Sequence, residues 1–147
     1  MQFILTSTLA LLATALTAVA QPPLSTTINF DDRYCNSDVA LTTTACSTGS
    51  NGLASRWPTF GNVPNFPLVG GGFPVEGFNS ANCGSCWEIT DPNTGRSVAI
   101  TLVNVATPGF TLCTDTLLAL TGFNRTNVPG VVPVTARQVP LIDCGTQ

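Results

Sequence analysis

Apolar and β-branched runs bounded by turn-forming residues recur along this chain at 25–30, 87–90, 96–105 and 131–139, and they predict strands. Asp91-Pro-Asn-Thr-Gly95 lies between the second and third runs and has turn chemistry at every position, which predicts a hairpin. In the strand over 97–105, period-2 alternation turns Ser97, Ala99, Thr101, Val103 and Val105 to one face. Val98, Ile100, Leu102 and Asn104 take the other. Two helical patches are predicted, at 50–56, halted before Pro58, and at 114–121, opened by cap-type residues and closed by Gly122. Cys113, Leu117 and Leu120 stand at i, i+4 and i+7 and share one face of the second. Many short strands with few helices point to a mainly β fold, a closed barrel with short peripheral helices.

The pattern breaks at the amino end. Residues 1–20 form an uncharged, largely apolar run ending in Ala18-Val-Ala20 ahead of Gln21-Pro-Pro, the small-residue cleavage pattern of a secretory signal peptide, though without the usual Lys or Arg near Met1. The run is too short and too early to span a bilayer, so membrane insertion is not expected. The remainder, 21–147, is sized for a single domain with one core.

Six cysteines delivered to an oxidising compartment predict three disulfides, but sequence alone leaves about 15 connectivities open. Charge is sparse: 9% of residues, net −3, with five scattered arginines and neither Lys nor His. Nucleic acid and anionic membrane surfaces, which draw affinity from clustered cations, are poor partners. The absence of His rules out Ser/His/Asp catalysis. Neutral polymers such as polysaccharides impose no charge requirement.

Residues 58–87 alternate aromatic, proline and glycine up to Cys83-Gly-Ser-Cys86-Trp87. Together with Phe30-Asp-Asp-Arg-Tyr34, Ala45-Cys46 and Cys144-Gly145, this stretch resembles the cerato-platanin family over nearly all of the chain beyond the leader. The resemblance implies a six-stranded double-psi β-barrel like the first domain of expansins. It also implies a secreted fungal protein that binds chitin or other N-acetylglucosamine oligomers, is perceived by a host immune receptor as an elicitor or phytotoxin, associates with the fungal wall and self-assembles at interfaces. No cofactor or metal is implied. The family's four cysteines pair first to second and third to fourth, which gives Cys46–Cys83 and Cys86–Cys144 here. Cys35 and Cys113 are then left for each other.

Where the family carries an acidic residue after an apolar strand, this chain has Val103-Asn104-Val105-Ala106. An amide can hydrogen-bond a sugar hydroxyl but cannot take a proton near neutral pH, so the substitution shifts the weight from catalysis to binding. Phe110-Thr111 stands where the family has Phe-Asn. Resemblance together with strand-end or loop position gives Asp31, Asn104, Thr111, Asn79 and Gln138 as carbohydrate-binding candidates. None of the eight carboxylates forms a recognisable glycosidase pair. Expansin-like wall loosening and hydrophobin-like surface activity are the competing readings. Cys83-Gly-Ser-Cys86 has redox or half-zinc-site spacing, although the family pairing consumes both thiols. Phe73, Phe78 and Trp87 are expected in the core, with Phe60 and Phe66 as candidates for partial exposure. Asn124-Arg-Thr126 is an N-glycosylation acceptor sequence.

Overall fold

The computed structural model describes residues 21–146; the signal peptide expected at 1–20 lies outside the described residues. Six strands, β1 (Leu24–Phe30), β2 (Val69–Gly72), β3 (Cys86–Thr90), β4 (Ser97–Val105), β5 (Phe110–Leu112) and β6 (Val132–Val139), close into a barrel in the order β1-β5-β2-β4-β3-β6. β1 pairs with β5, and β2 with β4, in parallel; the other four pairings are antiparallel. This is the double-psi barrel. The predicted hairpin joins β3 to β4, and its turn is held by Asp91, whose Oδ1 accepts from Asn93 N at 2.9 Å and whose carbonyl accepts from Gly95 N.

The sequence pattern gave no sign of β2 and β5. β2 reads Val-Gly-Gly-Gly and offers no alternation, yet every residue is buried. Its glycines are required by what lies against them: a Cβ on Gly70 would sit 2.5 Å from the Thr111 carbonyl oxygen, and one on Gly72 would sit 2.7 Å from the Phe110 ring. Close backbone approach, not side-chain packing, places this strand between β4 and β5.

Helix α1 (Thr114–Thr121) matches the prediction, and Gly122 closes it in the left-handed region at φ 77°. Its opening differs. The N-cap residue is Cys113, which makes no side-chain cap because its sulfur is bonded to Cys35. Cys113, Leu117 and Leu120 are buried together as expected. The patch at 50–56 is not a helix but a series of turns. Leu53 N donates to Cys46 O and Ala54 N to Ser47 O, so the backbone is satisfied by folding back on the preceding segment.

Two apolar clusters result. Ile28, Ile89, Ile100, Leu102, Phe110, Leu112 and Trp87 fill the barrel together with the inner face of α1. Tyr34, Leu41, Trp57, Phe60, Val63, Val69, Val103 and Cys113 pack outside it. Phe60 is therefore fully buried, stacked on Tyr34 at 5.6 Å, while Phe78, expected inside, is 67% exposed; the long loop before β3 buries Val75 and turns Phe78 outward. Phe66 is half-buried against the outer cluster.

All three disulfides form as the resemblance implied: Cys46–Cys83, Cys86–Cys144 and Cys35–Cys113. Neither cysteine of the Cys-Gly-Ser-Cys motif is paired with the other, and no cysteine among the described residues is free. A redox pair or a thiolate half-site is thereby overturned, because both sulfurs are spent on long-range straps.

Candidate functional site

Asn104 lies where β2 and β4 fall out of step. Leu102 pairs with Gly70 and Asn104 with Gly71, so Val103 is passed over. The bulge ends the strict alternation predicted for β4. Val103 packs in the outer cluster, and Asn104 also reaches that side, donating through Nδ2 to the Tyr34 hydroxyl at 3.3 Å. Its Oδ1 accepts from Ala45 N at 2.9 Å. The amide is fixed at both ends by groups 59 and 70 residues away in the chain.

Around it runs a row of aligned residues. Asn104 on β4 faces Gly71 on β2, Gly71 faces Thr111 on β5, and Thr111 faces Asn29 on β1. Gly71 keeps the row shallow, since a Cβ there would lie 2.9 Å from the Tyr34 hydroxyl. The Asn29 Oδ1 is shielded and accepts no hydrogen bond within the described residues. Asp31 follows on the same strand end. Its backbone N donates to Leu112 O, and its exposed carboxylate accepts from Arg33 N at 2.8 Å, capping the single 3-10 turn Asp32–Cys35 that carries Tyr34.

Asn79 joins the patch indirectly. Its N–H donates to the Ala45 carbonyl at 3.0 Å, on the residue whose own N–H is held by Asn104. Its side chain accepts from Asn51 N, and its φ is +59°, which marks it as a loop anchor. Gln138 does not belong to this group. It is exposed on β6 opposite Trp87, and it lines a depression at the barrel mouth that none of the other four candidates touches. Asn124 is exposed, its Oδ1 engaged by the N–H and hydroxyl of Thr126.

Tyr34, Asn29 and Gly71 were not singled out as site residues from sequence. Tyr34 is the chain's one tyrosine and lies within the matching Phe30-Asp-Asp-Arg-Tyr34 segment, a signal that was present; nothing local marks Asn29 or Gly71. Burial pushes the Tyr34 phenol above its ordinary value; the Asn104 hydrogen bond and Arg33 pull the other way, and Asp31 adds a smaller upward push. The phenol thus stays protonated near neutrality, serving as a hydrogen-bonding group and not as a base. Sole occupancy makes this testable. Stability is unaffected below the unfolded phenol value of about 10 and falls as pH rises beyond it, because the unfolded chain ionises first. Near-ultraviolet absorbance of the native protein should therefore show a late, single tyrosine titration coupled to alkaline unfolding; a titration at the free-phenol value would contradict the burial.

Asp31, the carboxylate at the margin of the row, is engaged through Oδ1 by the backbone of its own turn. Cys35, Cys113 and Asp115 lie close together, but with the two sulfurs bonded to each other the group offers one carboxylate and no thiolate to a metal. What the arrangement can do is present fixed amides and hydroxyls on a shallow face.

The model of the family described as cerato-platanin matches residues 26–146. The chain is 36% identical over 146 residues to the Allergen Asp f 15 homolog of Arthroderma benhamiae, covering 99% of this chain and 70% of that one. Its fold superposes on crystalline cerato-platanin 2 from M. perniciosa with a TM-score of 0.77 at 36% identity, over 83% of this chain and 99% of the other. The fungal elicitor cerato-platanin, solved in solution, gives a TM-score of 0.72 at 37% identity over 80% and 95%. A likeness in fold alone extends to a Clavibacter michiganensis expansin, at 17% identity, a TM-score of 0.53, and 80% and 51% coverage. By sequence, disulfide frame and barrel, this chain belongs to the cerato-platanin family.

Proposed function

We propose that the protein is secreted and non-catalytic, that it binds chitin-like N-acetylglucosamine oligomers on the patch around Asn104, and that it acts as an elicitor sensed by a host immune receptor. The observation that carries the reading is the doubly anchored Asn104 amide. It stands where the family resemblance leads one to expect an acid, in a row with Thr111 and Asn29, with Asp31 two residues beyond Asn29. Its remaining N–H and lone pair, with the hydroxyls nearby, match the hydroxyl and acetamido groups of the sugar without supplying a proton acceptor. The elicitor role is supported by likeness to the solved fungal elicitor.

Titration with chitotetraose, followed by amide NMR, is expected to shift signals at Asp31, Asn104 and Thr111. Asn104→Ala should weaken binding about tenfold, the worth of one or two neutral hydrogen bonds. An unchanged affinity removes Asn104 from the site. Steady release of reducing sugar from chitin or glucan by the wild type, abolished in Asp31→Ala, overturns the non-catalytic reading in favour of an expansin-like, weakly lytic one.

The exposed Phe78, Leu141 and Ile142, at 67%, 47% and 62%, favour a second property, self-assembly at interfaces and at the fungal wall. Film formation should fall in Phe78→Ser while chitotetraose binding persists.

A further inference from the structure

The acceptor sequence Asn124-Arg-Thr126 takes no part in the Asn104 patch and lies in the loop of residues 122–131 that joins α1 to β6. No other asparagine of the chain is followed two positions on by Ser or Thr, and the residue between is not proline. Folding leaves the tripeptide in solvent. Asn124, Arg125 and Thr126 are all exposed, and Val128 is the one residue of the loop that is half-buried.

The two ends of the Asn124 amide differ. Its Oδ1 accepts from the Thr126 backbone N–H at 3.0 Å and from the Thr126 hydroxyl, while its Nδ2 donates to no protein group among the described residues. Other amides spend that nitrogen on the fold: Asn51 donates from Nδ2 to Asn79 O, Asn82 to Pro74 O and Asn104 to the Tyr34 hydroxyl. The loop that carries Asn124 is also tied down. Asn124 O accepts from Asn127 N at 3.2 Å and Val128 N at 3.0 Å, Asn124 N donates to Asn127 Oδ1 at 3.0 Å, and Arg125 reaches Asp115 at 2.8 Å and Asp32 at 3.6 Å.

We propose that Asn124 carries an N-linked glycan. Attachment at Nδ2 replaces one of its two hydrogens and leaves Oδ1 with both of its bonds, so no contact of the fold has to break. The donor is an oligosaccharide joined through N-acetylglucosamine to a lipid diphosphate, the class that a eukaryotic secretory route supplies. Its C1–O bond to phosphate breaks, the diphosphate leaves with the electron pair, C1 bonds to Nδ2, and the Nδ2 proton passes to a base of the transferase. Thr126 supplies the hydroxyl that the acceptor sequence requires. The sugar hydrates a loop that carries Phe123 and Val131, 37% and 56% exposed, and adds polar bulk to a chain in which 9% of residues are charged. This inference rests on the secretion proposed above and is independent of sugar binding at Asn104.

The test is the intact mass of the full 147-residue chain expressed in a filamentous fungal host, with protein taken from the medium and from the cells. Protein from the medium is expected to exceed its polypeptide mass by a ladder of hexose steps on an N-acetylhexosamine core. A peptide-N-glycanase should remove the whole excess and leave aspartate in place of Asn124. The excess should be absent from Asn124→Gln and from Thr126→Ala and retained in Thr126→Ser; both positions are exposed, so these variants should fold. Bare polypeptide in the medium, or an excess that survives Asn124→Gln, would overturn the inference while leaving secretion standing. Sugar-free chain confined to the cells would overturn both.

Discussion

Phe110→Ala is expected to cost about 3–5 kcal/mol of folding stability, the range for removing a large aromatic ring from a close-packed core. Phe110 is fully buried and touches the rings of Phe73 and Trp87 at centroid distances of 5.5 and 5.6 Å. The site is slow to collapse around a void, because the facing strand β2 is built of glycines with no side chains to swing inward. Denaturant unfolding should show a lower midpoint with an unchanged slope. Phe110→Leu, which keeps most of the volume, should recover much of the loss. A cost below about 1 kcal/mol would mean that the barrel interior is loosely filled, contrary to the packing described. Because the Trp87 ring packs directly on Phe110, this variant should disturb the Trp87 indole resonance.

The second large effect concerns the strap beyond the family's four cysteines. Cys35 and Cys113 are 78 residues apart, and chain-entropy arithmetic assigns a loop of that length about 4.5 kcal/mol. Cys35→Ala combined with Cys113→Ala is expected to lose about 3–4 kcal/mol once overlap with the other bridged loops is allowed for. Alanine is the suitable replacement because Cys113 is buried and a hydroxyl there would need a partner. The barrel should survive, since Cys46–Cys83 and Cys86–Cys144 remain. The local consequence falls on α1, whose first turn is tethered by this bridge and has no side-chain cap. Hydrogen exchange at 117–121 should accelerate more than in β3 or β4. Uniform acceleration, or a loss below about 1 kcal/mol, would show that the strap adds little to the native state.

The Asn104 patch shows how far a candidate surface can be read before a fold is known. Resemblance singled out Asp31, Asn104 and Thr111, and pairing across β4, β2, β5 and β1 brings Asn104 and Thr111 into one row with Asp31 at its margin. The same residues read by period-2 alternation put Asn104 on the wrong face. One skipped residue, Val103, reverses the alternation there, and a bulge depends on the partner strand, which local sequence does not describe. Gln138 joins the same group on resemblance together with strand-end position, and the barrel places it at the mouth. Strand-end position says which end of a barrel a residue reaches but not which side of the wall it faces.

By itself the sequence determined the elements whose physics is local. β1, β3, β4 and β6 follow from β-branched runs, the β3–β4 hairpin from Asp91 to Gly95, and the body and end of α1 from its apolar spacing and Gly122. It also determined what the protein lacks the means to do, since a chain without His or Lys cannot assemble a Ser/His/Asp triad or a lysine-rich phosphate site. Tertiary structure alone decided β2, because a run of glycines becomes a strand only when two neighbours supply its hydrogen bonds and need its missing side chains. It alone decided that Phe60 is buried and Phe78 exposed. Both sit in loops whose backbone is satisfied by distant partners, and burial there follows where the loop is anchored, not what the residue is.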